Sequence, residues 1–380
     1  MLKRSQLRGF ERILTTEVHV SDLIQELTDR DPTPWGELIG TVPVAADRER
    51  SFARLRRKKH VRGSIDLLLT TSEGETVAIE VKVAHYFSED QRLRYEATTN
   101  GGLLLLGMAA DSTLVNGYPR WSFHSLADVF HAWSGSRDED AALLARIAEQ
   151  SMRRWDSVVD SVFRPATGAA KLNELQKKFL AILVSRRLKH DLNGQGWLSL
   201  AGTSSGTSGL ALVQGFAALN GDEARCLIAE VRWVEGLQQI NFRLGIDFSS
   251  LDETRETRSE AWALAKYMDT TIRLDAFHLH LAQVRPDLGE FITFRGGGGR
   301  NTPNDEIWLP VVEHGLKNAT RRSVKPGFVG DGVLRFEASG QIQADRVDAV
   351  DIRDLIDEAL RYLCSALPEG YSASESNPEL

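Results

Sequence analysis

The run VRGSIDLLLTTSEGETVAIEVKVA, residues 61–84, decides the reading of the first part of the chain. Side chains in a β-strand alternate between its two faces, so Val77, Ile79, Val81 and Val83 share one face, while Ala78, Glu80, Lys82 and Ala84 share the other. The valine face reads as core. Residues 61–70 read as the preceding strand, where Ile65, Leu67 and Leu69 are apolar and Asp66 stands on the opposite face. Between the two runs, Ser72-Glu73-Gly74-Glu75 is a turn signal, which predicts a β-hairpin. A hairpin loop of three or five residues puts Asp66 on the side of Glu80, across from Glu80 or Lys82; a loop of two or four misplaces it. The small Ala78 and Ala84 leave room above that face for a metal ion and a phosphate.

Upstream, Phe10, Ile13 and Leu14 and then Val20, Leu23, Ile24 and Leu27 recur at helical spacing, as one helix or two, stopped by Asp31-Pro32-Thr33-Pro34. A short strand is predicted near residues 41–45. Downstream, residues 89–99 predict a helix ending at Asn100-Gly101-Gly102, followed by Leu103-Leu104-Leu105-Leu106 as a buried strand. Helices follow near 125–133 and 138–162, and Arg164-Pro165-Ala166-Thr167-Gly168 reads as a linker. At 380 residues the chain is long for one core, and the seam falls there. Residues 1–165 form an α/β domain. Residues 166–368 form a separate α+β domain, with a helix at 171–189, antiparallel strands near 210–216, 225–234 and 238–247, a long helix at 253–273 and a last one at 351–366. Residues 369–380, rich in Ser, Glu and Pro, read as a disordered tail.

Composition narrows the function. The hydrophobic fraction of 42% and charged fraction of 26% are those of a soluble globular protein, without an apolar run of membrane-spanning length, so no membrane partner is expected. The N-terminus lacks a signal-peptide pattern, and Cys226 and Cys364 are far apart without metal-ligand spacing, so both read as core filler in a cytoplasmic chain. A net charge of -7 argues against indiscriminate nucleic-acid coating. One basic run stands out: Arg54, Arg56, Arg57, Lys58, Lys59, His60 and Arg62 precede Asp66 and read either as a nucleic-acid contact or as a solvated loop.

Phosphodiester hydrolysis needs a hard cation to neutralise phosphate oxygens and acidify an attacking water, and two carboxylates plus waters hold Mg²⁺. Asp66 and Glu80 suit that role, and Lys82 suits positioning or deprotonating the water. An acid two residues before a lysine is expected about 1.5 times by chance in a chain of this composition, so the context of buried strand and hairpin carries the weight. A structural ion pair on a half-exposed sheet face is the competing reading.

Ser64-Ile65-Asp66 with Glu80-Val81-Lys82 resembles the PD-(D/E)XK nuclease superfamily, with Ile65 in place of the usual Pro. The resemblance spans residues 10–135, about a third of the chain. It implies a restriction-endonuclease-like core, a mixed sheet flanked by helices, that cleaves DNA, or RNA, with Mg²⁺ or Mn²⁺ held by Asp66, Glu80 and the backbone carbonyl of Val81. Gln91-Arg92-Leu93-Arg94-Tyr95 matches the Gln-x-x-x-Tyr motif of many members; the i, i+4 spacing puts Gln91 and Tyr95 on one helical face, where they can contact a strand or bolster the metal site. Members also place a Glu on the first helix facing the metal. Glu17, on the apolar stripe, is the candidate for both catalytic and metal-ligand roles, with helix capping as the alternative, whereas Glu11 lies off the stripe.

The resemblance thus implies a metal-dependent endonuclease or other DNA nuclease, in restriction or antiviral defence by analogy, with DNA repair or an inactive binding module as alternatives. The C-terminal half would choose target or activation signal, or engage a second copy or another protein. His60 and His85 flank the site, and exposure is the favoured reading of both. Residues 296–300, a Gly run ending in Arg, read as a flexible turn. His278-Leu279-His280 reads as a strand pair without a third ligand, and Lys317, Arg321, Arg322 and Lys325 as a second basic cluster on a loop.

Overall fold

The computed structural model describes the chain except residues 1–8, 57–58, 100, 164–169, 176–177, 204–210, 234–238, 250–253, 292–302, 316–326, 330–332 and 375–380; for residues 49–63, 98, 174, 178, 239, 291 and 327–329 only the backbone is described. It divides into two compact units, Met1–Asp160 and Ser161–Leu380, a few residues before the expected linker. No helix among the described residues is long and apolar enough to cross a membrane.

The first unit is α/β around a five-stranded mixed sheet, β1 (Pro43–Arg56), β2 (Lys59–Thr71), β3 (Thr76–Val81), β4 (Gly102–Gly107) and β5 (Trp121–Ser125), in sequential order. The first three strands are antiparallel; β3, β4 and β5 run parallel. The helices are α1 (Gly9–Ile13), α2 (Glu17–Arg30), α3 (Trp35–Ile39), α4 (Glu89–Thr98), α5 (Leu126–Trp133) and α6 (Glu139–Ser161). The expected N-terminal helical stripe is therefore two helices. α2 buries Val20, Ile24 and Leu27, and Trp35 meets Trp133 edge-on at 5.2 Å. A separate cluster joins Leu68, Ala78, Leu103 and Leu105 of the sheet to Tyr95 of α4 and Trp121 of β5.

The hairpin pairs Leu67 with Ile79 through Thr70 with Thr76, which leaves a five-residue loop at 71–75. That is one of the two lengths that put Asp66 on the side of Glu80. Gly74 takes φ 78°, the left-handed region in which an L side chain is strained. Three expectations need correction. The short strand at 41–45 is the start of the 14-residue β1, because residues 43–56 pair along β2. The basic run is therefore strand backbone on this ribbon, with Arg57 and Lys58 outside the described residues. And β3 ends at Val81 rather than Ala84, because the chain turns after Lys82 donates its N–H to Leu106.

Gly101 lets the chain enter β4 against β3: a Cβ there would stand 1.9 Å from the Thr76 carbonyl oxygen. Gly101→Ala must push a site-bearing strand aside, and thermal melting should show a loss of about 1–3 kcal/mol or more. A melting temperature equal to wild type would show that β3 and β4 separate freely here.

The second unit is α+β on an antiparallel sheet. Its path runs β10 (Gly327–Val329), β11 (Val333–Gln343), β9 (Gln239–Phe248), β8 (Asp222–Trp233), β7 (Ala211–Leu219) and β12 (Ala373–Ser374), with β6 (Leu198–Thr203) also paired to β7. Its helices are α7 (Lys178–Gly194), α8 (Arg255–Tyr267), α9 (Leu274–Val284), α10 (Pro286–Phe291), α11 (Asp305–His314) and α12 (Ala349–Ser365). α12 buries a stripe including Ile352, Ile356 and Leu360, close enough that a Cβ on Gly215 would meet Ile356 at 2.7 Å.

The helix expected at 171–189 begins at Lys178, and the one expected at 253–273 stops at Tyr267 before a second helix. His278 and His280 lie on that second helix, α9, not on a strand; His278 bonds to the Gly289 carbonyl and His280 to Glu358 at 2.7 Å. The tail expected to be disordered supplies β12, paired to Leu219 and Ala218. Residues 296–300 and the cluster Lys317, Arg321, Arg322 and Lys325 lie outside the described residues. Cys226 is buried and Cys364 half-buried, and neither forms a disulfide among the described residues.

Candidate active site

β2 and β3 part at Asp66. Ladder pairing ends at Leu67 with Ile79, and one step further Asp66 faces Glu80. There the Asp66 carboxylate replaces a strand partner: its Oδ2 accepts the Val81 N–H at 2.9 Å. Arg48 of β1 braces the position, donating to the Asp66 carbonyl at 3.0 Å, to Asp22 of α2 at 2.9 Å and to the Val18 carbonyl at 3.3 Å.

Glu80 is 3% exposed and Lys82 5% exposed, and the Lys82 ammonium pairs with Glu80 Oε1. Buried charges need partners: the Lys82 ammonium that pairs with Glu80 also acts on Asp66, and so does the charge of Arg48, itself paired with Asp22. Burial and the neighbouring Glu80 charge nonetheless outweigh the Val81 amide and both cations, and push the Asp66 carboxyl up to about 6.

Both ends of the Gln-x-x-x-Tyr motif reach this cluster. Gln91 is the N3 residue of a capping box: its Oε1 accepts the Ser88 N–H at 3.2 Å while its Nε2 donates to Glu80 Oε1 at 3.1 Å. One turn on, the buried Tyr95 hydroxyl accepts the Asp66 N–H at 3.2 Å. Burial and the charges of Glu80 and Asp66 push its phenol well above the usual range, which keeps it neutral. α4 is held in place by Trp121, whose indole donates to Glu96 at 3.0 Å and stands 5.8 Å from Tyr95, and by Arg120, which donates to the Glu96 carbonyl at 2.9 Å. Arg48, Glu96, Arg120 and Trp121 carried no signal in the sequence, because each acts through a partner far along the chain.

Glu17 does not join the acidic pair. Its Oε1 accepts three consecutive backbone N–H groups, from Val83 at 2.9 Å, Ala84 at 2.8 Å and His85 at 2.7 Å, and its Oε2 pairs with the His85 ring. Burial opposes the charge, but these amides outweigh it and lower the carboxyl to about 2. The Glu17 carboxylate thus anchors the turn that follows Lys82. The His85 side chain is otherwise 75% exposed. Glu11, taken as lying off the buried stripe, is 5% exposed and paired with Arg154, while Ile13 is exposed.

Arg54, Arg56, Lys59, His60 and Arg62 sit on the β1–β2 ribbon at paired positions such as Arg56 opposite Lys59, with side chains outside the described residues. Among the described residues no group of three or more His, Cys, Asp or Glu converges on one point. The donor set at the notch is therefore Asp66 and Glu80, with the buried Val81 backbone between them. Two neighbouring carboxylates fit Mg²⁺ or Mn²⁺, which keep several waters of their own.

No family model matches the chain, and no curated protein matches it. The solved structure of protein VC1899 from Vibrio cholerae is similar over 36% of this chain and 33% of its own length, at 12% identity and a TM-score of 0.22. The matched part is about a third of that protein, and a likeness at this score carries no argument about fold or function.

Proposed function

We propose that the first unit is a divalent-metal-dependent nuclease of the PD-(D/E)XK type that hydrolyses phosphodiester bonds of DNA. The observation that carries this reading is the convergence of Asp66, Glu80 and Lys82 at one buried notch, with Gln91 and Tyr95 bonded to it from α4. A bound Mg²⁺ or Mn²⁺, held by Asp66 and Glu80, would neutralise phosphate oxygens and acidify water. Lys82 supplies an ammonium that holds the attacking water or offsets charge on the phosphate. Gln91 and Tyr95 fix the acids without reacting. The basic ribbon β1–β2 offers backbone of the right form for a duplex, since a two-stranded ribbon fits the major groove. Its side chains lie outside the described residues, so this part rests on sequence. By analogy the process is restriction or antiviral defence in the cytoplasm, with the second unit selecting target, partner or signal.

The purified chain, incubated with supercoiled plasmid, linear duplex or RNA in Mg²⁺ or Mn²⁺, should cut DNA, and chelation should stop it. Folded protein that cuts none of the three would reject catalysis and leave the other reading, a nuclease-fold binding module. Calorimetry with Mn²⁺ separates the two, because a working site gives heat that depends on Asp66 and Glu80.

A further inference from the structure

The second unit has a charged sheet face that packing does not require. Glu230 and Arg232 on β8, Arg243 and Asp247 on β9, and Arg335 and Glu337 on β11 alternate with core residues and so share one side of three adjacent strands. They form a chain of alternating sign. Arg232 donates to Glu230 at 2.9 Å, Arg243 to Glu230 at 3.2 Å and to Glu337 at 2.5 Å, and Arg335 to Asp247 at 2.9 Å. Charges sequestered in this way are seldom net stabilising compared with apolar side chains of similar size, so six of them call for another use.

The ends of the chain differ from its middle. Arg243 is 11% exposed and ringed by three carboxylates, whereas the Arg232 and Arg335 side chains are 37% and 31% exposed. The Nε atoms of all three arginines, and the acceptor Oδ1 of Asp247, are buried with no hydrogen-bond partner among the described residues. A guanidinium has five N–H donors and no acceptor, so the face offers more donors than its carboxylates consume. Asn241, Ser339 and Gln341 extend it with neutral groups, and together with five of the six charged residues, all but Asp247, they line a cavity of about 290 Å³. That is near the small end of ligand clefts, roughly 300–1,000 Å³. Gly245, on the same face between Arg243 and Asp247, would bring a Cβ to 2.1 Å from the Phe336 carbonyl oxygen. The β11 backbone thus crowds in at Gly245 on the polar side, and the concavity lies beside it, at the cavity these residues line.

We propose that this concave face binds a small phosphate ester of about nucleotide size, with phosphate oxygens on the guanidinium of Arg232 or Arg335 and the uncharged part against Asn241, Ser339 and Gln341. The donor excess selects an acceptor-rich ligand, and the planar guanidinium matches the oxygens of a phosphate in bidentate fashion. The site lies in the second unit and does not depend on the nuclease reading.

The test is calorimetric titration of the full chain, without divalent cation, with the four ribonucleoside monophosphates, inorganic phosphate, glutarate and a short single-stranded oligonucleotide. At least one monophosphate should bind saturably and more tightly than inorganic phosphate, with glutarate at least tenfold weaker. Arg232→Gln or Arg335→Gln should reduce affinity at least tenfold, and Ser339→Trp, which fills the cavity at an exposed position and leaves every charge in place, should do the same. Lys82→Ala should leave affinity within twofold, which excludes binding at the nuclease notch. Absence of saturable binding by any monophosphate would overturn the proposal. So would binding unchanged in all three sheet-face variants, glutarate binding as tightly, or an oligonucleotide binding more than tenfold more tightly than the best monophosphate.

Discussion

Asp66→Asn is expected to abolish metal-dependent cleavage and, without divalent cation, to make the protein more stable than wild type. Asn keeps an oxygen to accept the Val81 N–H, so the local geometry survives. What it loses is a negative charge that the folded state disfavours. With the carboxyl at about 6 folded against an ordinary 3.8, the wild type carries a penalty of about 3 kcal/mol at neutral pH. The folded state binds the proton more tightly, so stability falls as pH rises through the window from about 4 to about 6, and the advantage of Asn should vanish toward pH 4. Lys82→Ala should move stability the other way, because Glu80 is left buried beside Asp66 without its cation, a loss of about 3–5 kcal/mol. Cleavage should fall by about 10²–10⁴-fold in the lysine variant. Thermal melts in chelator at pH 4 and pH 7, run beside plasmid cleavage, separate the effects. Asp66→Asn that cuts DNA normally, or that melts below wild type at pH 7, would sink the assignment.

The notch was legible because alternation in strands is strict and the hairpin loop had few lengths to choose from. Asp66, Glu80 and Lys82 follow from counting residues along 61–84; Gln91 and Tyr95 are marked by the resemblance to a family motif, and one helical turn puts them on a common face. Glu17 shows what such counting leaves open. Its place on an apolar stripe correctly marks it as buried, but burial does not say which of several polar partners it meets. The amides of residues 83–85 are 66 to 68 positions away and have no side-chain signature. Arg48 escaped notice for the same reason, since its partners lie on two separate segments, α2 and β2. In the second unit, alternation again explains the strands. The charges on β8, β9 and β11 carry no signal of their own in the sequence, because only the strand register aligns them into one chain.

Removing the Glu17 carboxylate should cost stability first and activity second, in a way that tells an anchor from a ligand. Three N–H donors converge on one oxygen, and the carboxyl sits at about 2 instead of 4.5. The charge therefore contributes about 3 kcal/mol at neutral pH. Because the folded value is the lower one, that stability is complete above about pH 4.5 and is lost as pH falls toward about 2. Glu17→Ala should lose about the same amount at pH 7, since three amides are left without their acceptor. Glu17→Gln, which keeps one accepting oxygen, should lose less. The turn held by these bonds begins one residue after Lys82, so loosening it lets the ammonium wander from Glu80 and lowers cleavage. The decisive readout is Mn²⁺ affinity in Glu17→Gln. An anchor leaves it within about threefold of wild type, whereas losing even an outer partner of a metal ligand typically costs about 10–100-fold. An Mn²⁺ affinity at least tenfold weaker, in a variant that melts normally, would return Glu17 to the metal and show that its oxygens leave the turn when the ion arrives.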